Sequence, residues 1–526
     1  MRVRIAAFFG LLAFAAGCAR PPSHAHELRL TLPLDPASLS PLVAFDQNQI
    51  ALDLLWCQTL VGLDERNRFV PVLLTRIPSR ANGDVSTDGL RITYHLRPDV
   101  RFADGVPFTS ADVAFTFRAI FDPANVAASV DAYRRVASLA TPDPHTVVVR
   151  LREPWADAVH VLFAQADFAY GILPKHAFAS TTIAGSAWAS RPFGTGPFRV
   201  AAWKRGEGLE LAPNPFFRPA PKLHRILVRV IANQTSAFDA LRTHSVDAVE
   251  LNVDNAGIAA TVPGVRVVKL HENGLRALYL QTQAEPTNDV RVRRAIAYAL
   301  DLGDLAKAWK NVYPAATSLF PAPLYSWPHR AIAPYPHDYA RADALLDAAG
   351  WRLHDGIREK NGSPLALTIA LDPTIAVVPR IAVVAQEQLA RAGMQVSVKA
   401  YQTTIFSAPD GPERTGRFSL TPAALIGGSD PAQSINVLCA QARDGGESYS
   451  RFCSPVIEKA FADQLRATSE AQRHRDFDTI ARVVHDDVPL VPLYDLLYIE
   501  GVDTRVTGYA RNMLRFPVHP EQWDAL

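Results

Sequence analysis

The sequence predicts a mixed α/β protein with more than one core, and three observations lead there. The chain has 526 residues, against the roughly 150 that one core organises, so length alone implies about three domain-sized masses. Short stretches of period two alternate with stretches of helical period, which points to mixed sheets flanked by helices and away from an all-β or all-α fold. Prolines outnumber glycines, 40 to 28, favouring rigid turns and strand ends over long uninterrupted helices.

The elements follow in order. Leu90, Ile92, Tyr94 and Leu96 fall on one face, with Arg91, Thr93 and His95 opposite, so a half-exposed strand is expected. After the turn at Asp104-Gly105, Thr109 is placed as a helix N-cap with Asp112 three residues on, and Val113, Phe117, Ile120 and Phe121 line one helical face. Further strands are expected at Val147, Val149 and Leu151, and at Ile226, Val228 and Val230. The latter leads into a capped helix start at Thr235-Ser236-Ala237-Phe238-Asp239. Asp289 caps a helix that buries Val292, Ile296, Ala299 and Leu300, and a late helix through Phe477, Ile480, Ala481 and Val484 is ended by Pro489.

Composition narrows the function classes. Hydrophobic residues make up 48% and charged residues 20%, which fits a folded globular chain and excludes a largely disordered one. With 54 Lys and Arg against 52 Asp and Glu, no basic surface spreads over the molecule, so nucleic acid is not an expected partner.

The first 17 residues carry Arg2 and Arg4, an apolar run from Ile5 to Phe14, and the small residues Ala15, Ala16 and Gly17 directly before Cys18. This order reads as an export signal, too short to span a bilayer. Cys18 after Ala-Ala-Gly resembles a bacterial lipobox, in which the chain is cut before a lipidated cysteine. An ordinary secretory signal with a chance cysteine is the competing reading. Removing residues 1–17 takes away two arginines and no acid, leaving 52 basic against 52 acidic residues. Residues 18–27 then form a polar, proline-bearing tether, in which His24 and His26 read as linker in preference to a metal site. No other stretch approaches 18 uninterrupted apolar residues, so no spanning helix is expected.

Cys57 lies in the apolar pattern of Ile50, Leu54 and Leu55 and reads as a small buried hydrophobe. Cys439 and Cys453, 14 apart across glycine-rich sequence, fit a disulfide in an exported protein better than a metal pair, since zinc spacing and further ligands are missing. Closing such a loop contributes about 3 kcal/mol.

Enzyme signatures are weak. There is no G-x-S-x-G elbow, no GxxxxGK loop and no H-E-x-x-H helix. Gly194-Thr195-Gly196 runs into Pro197 and does not open a helix as a dinucleotide loop would. Asp486-Asp487 closes a helix, where adjacent side chains point apart. His95, His145, His160, His271 and His485 are scattered without partner spacing. No catalytic residue, metal site or cofactor is expected.

Several segments, in order, resemble the extracytoplasmic solute-binding proteins of bacterial ABC importers, in the large peptide, opine and nickel class. They are the run from Leu96 to Phe117, Phe193-Gly-Thr-Gly-Pro-Phe-Arg199, Trp203 to Asn214, Pro221-Lys222-Leu223, Ala240-Leu241 to Val246-Asp247-Ala248, Asp289 to Asp301, and Ala340 to Trp351. Ser429-Asp430-Pro431 through Cys439 and on to Cys453 is similar to the disulfide-bearing region of dipeptide-binding members, which supports the Cys439–Cys453 pairing.

The resemblance implies a three-lobed, periplasmic-binding-protein-like fold (class II) with a hinged cleft. By it, residues 28–62, 181–271 and 498–526 form lobe I, 63–180 lobe II and 272–497 lobe III. The implied function is capture of a peptide or peptide-like solute in the cleft between lobes, and its delivery to a permease. An opine, metal chelate or oligosaccharide on the same scaffold is the alternative, and a hydrolase or a periplasmic chaperone or sensor module are readings from other classes. A monomer is expected, on the extracytoplasmic face and tethered only by lipid at Cys18.

Family ligand contacts carry over to three places. In Ala44-Phe45-Asp46-Gln47-Asn48, the residues Asp46, Gln47 and Asn48 are candidates, although helix capping would equally explain Asp and Asn here. Gly194, Thr195 and Gly196 resemble the cleft turn, with a purely structural turn as the alternative. The third place is Gly427, Gly428, Ser429 and Asp430. There the carboxylate that pairs a dipeptide's ammonium falls at Gly427, which offers no charge, and the nearest acid is Asp430. The arginine-bearing segment that grips a dipeptide carboxylate is not evident either: Leu371 to Arg380 holds only Arg380, expected on the following helix. A strict dipeptide binder is therefore not expected.

Overall fold

The computed structural model describes residues 25–44, 46–166, 168–178, 182–316, 318–320, 332–434 and 436–526. The expected signal, Cys18 and His24 lie outside these residues.

In chain order the elements used below are β1 (Glu27–Leu32), α1 (Gln47–Asp53), β2 (Arg91–His95), α2 (Ser110–Phe121), β3 (Val136–Asp143), β4 (Thr146–Leu151), β5 (Phe198–Lys204), β6 (Gly208–Pro213), β7 (Arg225–Val230) and α3 (Gln234–Arg242). There follow β8 (Ala248–Glu250), α4 (Val253–Ala259), β9 (Val265–Leu280), α5 (Val290–Ala299), β10 (Ala366–Leu371), α6 (Val377–Arg391), β11 (Gln395–Ala400), β12 (Leu420–Ile426), α7 (Pro455–Arg466), α8 (Glu470–Asp487) and β13 (Leu490–Asp503).

Local sequence explains many of the boundaries. Thr109 and Asp112 form the reciprocal capping box at the start of α2. Asp289 accepts from the Arg291 backbone N–H at 2.9 Å and caps α5. The strand at 91–95 buries Ile92 and Tyr94 as its alternation requires. Two expectations need correction. The cap of α3 is Asn233, whose side chain accepts from Ser236 N, so the helix starts upstream of Thr235. Phe121, at the C-terminal end of α2, is 38% exposed, and the inward face of that helix is carried by Val113, Thr116, Ala119 and Ile120.

A ten-stranded sheet runs in the order β11-β10-β12-β9-β13-β8-β1-β7-β6-β5, and a separate three-stranded sheet, β2-β4-β3, is supplied by residues 91–151. Strands β9 and β13 are long, 16 and 14 residues, and each takes part in two halves of the large sheet. Residues 265–271 of β9 pair with 497–503 of β13, beside β8 and β1; residues 275–279 pair with 490–495, beside β12 and β10. Between them the register breaks, three residues (272–274) opposing Leu496 alone. Among the described residues, the two halves are joined within the large sheet only by this pair of strands.

Each half has its own core. Leu28, Leu30, Trp56, Phe102, Val149, Phe198 and Ile226 belong to one cluster, and Leu278, Ile296, Trp309, Leu346, Ile369 and Ile381 to another. Cys439 and Cys453 form the expected disulfide, Cα atoms 4.4 Å apart, and Cys57 is free and buried. Among the described residues no helix is long and apolar enough to cross a membrane.

Candidate functional site

Helix α1 sits where the halves meet, and its three faces do different work. Asp46 caps it, accepting from Asn48 N at 3.1 Å and Gln49 N at 3.0 Å. Ile50, Ala51 and Leu54 join an apolar cluster with Leu275, Ala277, Tyr279, Ala423 and Leu425 of the other half. Leu52 and Leu55 face the first core. Asn48, with Ala51, Leu52 and Leu55, lines a small cavity that opens to solvent.

This cavity lies beyond the carboxyl ends of β1 and its parallel neighbours β7 and β8, with Leu30 to Pro33, Val228, Ile231 and Ala248 to Glu250 in its wall. That is where open α/β sheets place ligands, because loops and helix ends diverge there. Its polar lining is Thr31, Asn48, Gln234, Glu250, Tyr498, Glu500, Tyr509 and Arg511.

The charges are organised unequally. Glu500 is 4% exposed and saturated: it accepts from Tyr498 Oη at 3.1 Å, Tyr509 Oη at 2.9 Å and Arg511 Nε at 3.2 Å. Glu272, in the register break, is held by Arg515 Nε. Glu250 has a 3.5 Å contact to Arg515 Nη1, while 35% of its side-chain surface is exposed. Its carboxyl lies above the ordinary range: burial raises it, Arg515 pulls it back, and Glu272 and Glu500 push it up further.

The residues expected from the sequence separate into kinds. Asp46 is used as a cap, Gln47 is half-buried with an unpartnered Oε1, and Asn48 reaches the cavity. The turn at 194–196 packs behind α1: a Cβ on Gly194 would stand 2.1 Å from Trp56 O, and one on Gly196 2.5 Å from Leu55 O. Close backbone approach there serves the fit of that turn against residues 55–57, and Thr195 between them is 1% exposed. Gly427 N donates to Asn273 O at 2.8 Å, and Gly428 O accepts from Asn273 Nδ2.

Ser429 Oγ donates to His160 O at 3.3 Å, tying this segment to the unit that carries β2-β4-β3. Asp430 has no exposed surface, and Arg473 of α8 grips its two oxygens at 2.6 and 2.9 Å. Burial pushes the Asp430 carboxyl up, but Arg473 more than offsets this and leaves it below the ordinary range. Beside it Asp157, 2% exposed with no partner for Oδ1, is pushed up by burial first and by Asp430 second. Arg380 is on α6, as expected, where it pairs across the halves with Asp254 of α4 at 2.8 and 3.2 Å.

Sequence reasoning missed Glu250, Glu272, Tyr498, Glu500, Arg511 and Arg515. The signal was available: Ala248 and Glu250 share a strand face, as do Tyr498 and Glu500, so acids stand at inward positions of otherwise apolar strands. Among the described residues no group of three or more His, Cys, Asp or Glu is placed to hold a metal ion.

Two α/β halves joined through one pair of long strands give a fold shared with NikA from Brucella suis in complex with Fe(III)-EDTA (TM-score 0.81, 21% identity, 95% of this chain and 100% of that one). Residues 68–446 match the bacterial extracellular solute-binding proteins, family 5 (middle region). The chain belongs to this family and is a solute-binding protein. Similar sequences include a Brucella melitensis protein named provisionally as an ABC transporter peptide-binding protein, 26% identical over 468 residues and 84% of each chain. Another is di/tripeptide-binding protein 2 of Pseudomonas aeruginosa, 25% identical over 480 residues, 84% of this chain and 85% of that one.

Proposed function

We propose that this protein captures a peptide or peptide-like solute between the two halves and delivers it to the permease of an ABC importer. The junction carries the reading: the two halves share β9 and β13 within the large sheet and α1 packs against both, so that closing and opening would change access to the space between them. A solute that binds better to the closed arrangement shifts the population towards it, and a permease can read that difference. The names of the relatives in Brucella and Pseudomonas support a peptide; the Fe(III)-EDTA complex of NikA keeps a chelate as the second reading.

Within the peptide reading, a strict dipeptide binder is disfavoured. Gly427 has no side chain, and the two charged groups nearest to the anchors expected in sequence are engaged, Asp430 by Arg473 and Arg380 by Asp254. Native mass spectrometry of gently purified protein, followed by titration calorimetry with peptides of two to six residues, tests this. A retained peptide mass and affinity for longer or modified peptides are expected. Submicromolar binding across a dipeptide panel would overturn the exclusion, and a retained non-peptide mass the peptide reading itself.

The same proposal places the mature chain on the extracytoplasmic face, monomeric and lipid-tethered at Cys18, with residues 28–62, 181–271 and 498–526 as lobe I, 63–180 as lobe II and 272–497 as lobe III. Release of a Cys18→Ser variant from the membrane fraction tests the tether.

A further inference from the structure

The two halves also touch away from β9 and β13. Residues 153–160 follow β4, and Trp155, Ala158 and Val159 among them belong to the first core. This segment meets the end of α7 and the segment after β12, both in the other half. Ala156 N donates to Leu465 O at 2.8 Å, Ser429 Oγ donates to His160 O at 3.3 Å, and Arg466 Nη2 stands 3.4 Å from Glu153. The Leu465 side chain packs against the first core as well.

An acid lies in this seam. Asp157 directly follows the residue that bonds Leu465; it is 2% exposed, and among the described residues its Oδ1 has no hydrogen-bond partner. The nearby cations are engaged elsewhere. Arg473 holds Asp430 and Gln464, and Arg135 lies over the Trp155 ring, 3.6 Å from Glu153. A buried carboxyl with an open acceptor, beside a second carboxylate, is best accommodated with a proton on it. Once the seam parts, water solvates the charge and the proton is no longer needed.

We propose that this seam is a latch between the halves, which takes up a proton at Asp157 each time it shuts. The inference rests on the halves hinging, as the proposed function has them do, and on no particular solute. Asp157 faces Asp430 after β12, Arg473 of α8 and Arg135 beside β3; Glu153 and His160 share its own segment, and Arg466 of α7 stands behind Glu153. With the seam shut, burial first and Asp430 second raise the Asp157 carboxyl to about 7, whereas a solvated one titrates near 4. Between those values the shut form holds one proton more, so closure is favoured as pH falls and weakens as pH rises through the interval. His160, lowered to about 4 by burial, stays neutral over most of that range.

The test is small-angle X-ray scattering of exhaustively dialysed protein at pH 5.5 and pH 7.5, on wild type and Asp157→Asn, with circular dichroism as a folding control. Between these pH values the closed-to-open ratio of wild type is expected to fall about 10-fold or more, read as a larger radius of gyration that reverses on acidification. Asp157→Asn carries no charge to solvate and is expected to stay compact at both. A wild-type radius that does not change overturns the latch, and this arm needs no variant to fold. Equal expansion of the variant takes the response away from Asp157 and overturns the assignment, while leaving the hinged reading intact. Ala156→Pro removes the donor to Leu465 without touching a titrating group and is expected to expand the protein at both pH values; a radius equal to wild type at pH 5.5 would overturn the latch from the other side.

Discussion

Asp430 and Glu250 are two acids, one in each half, and their surroundings use negative charge in opposite ways. Asp430 has no exposed surface, two bonds to Arg473 and a third from Ala432 N at 3.0 Å. Every oxygen lone pair that matters is consumed, so its charge is spent on holding α8 against the segment before the disulfide. Glu250 keeps a third of its side-chain surface and a shared contact. A carboxylate with its acceptors filled is part of the frame, whereas one that faces open volume meets solvent. Distance in sequence from a familiar motif says little about which of the two a given acid will be.

The largest expected effect comes from removing the framing acid. Asp430→Ala strands Arg473 in a buried site and is expected to cost about 3–5 kcal/mol in denaturant unfolding, against less than about 0.5 kcal/mol for Glu250→Gln. Similar losses for the two would collapse the contrast.

Next comes the loop that follows Asp430. Reducing Cys439–Cys453 is expected to cost about 3 kcal/mol. The check is the denaturation midpoint with and without reductant, using a Cys439→Ser/Cys453→Ser variant as the reference that no longer responds.

A smaller, pH-dependent effect is expected at Asp157. Its folded carboxyl is raised to about 7 by burial and by Asp430, whereas the unfolded one titrates near 4. Between those values the folded state binds the extra proton, so stability falls as pH rises through the interval. Asp157→Asn is expected to flatten that slope, raising the melting temperature at pH 8 relative to wild type and leaving it unchanged at pH 4. An unchanged slope would remove Asp157 from the account.

The smallest effect belongs to Arg380→Ala. Its partner Asp254 is held down at about 2 by Arg380 first and Lys310 second, but the arginine and aspartate side chains are 40% and 34% exposed. An exposed pair of this kind is worth about 0.2–1 kcal/mol. The expected outcome is a modest shift in small-angle scattering towards a more open shape, diminishing with added salt.

Elements governed by near neighbours were legible in the sequence. Thr109 with Asp112 and the cap at Asp289 need only a few residues of context, and the strand at 91–95 needs only its alternation. Asn233 was passed over because Thr235-Ser236 offered equally good capping side chains two residues downstream, and only the path of β7 decides between them. The partner of Asp430 lies 43 residues away on another helix, and Ser429 meets His160 across 269 positions, so no local pattern could pair them. The resemblance pointed to three segments; in space, one caps and touches the cavity, one packs behind it, and one is locked by Arg473. The acid most open to the cavity came from a three-residue strand too short to announce itself.

Two hydrogen-bonded strands side by side make a narrow ribbon, and a ribbon is stiff in its own plane but compliant across it. Shear along β9 and β13 would break their ladder, whereas flexing out of plane at residues 272–274 strains few bonds, since the register is already broken there. The connection thus acts as a leaf spring with one soft direction. Bending at residues 272–274 would carry the halves along an arc set by the sheet normal.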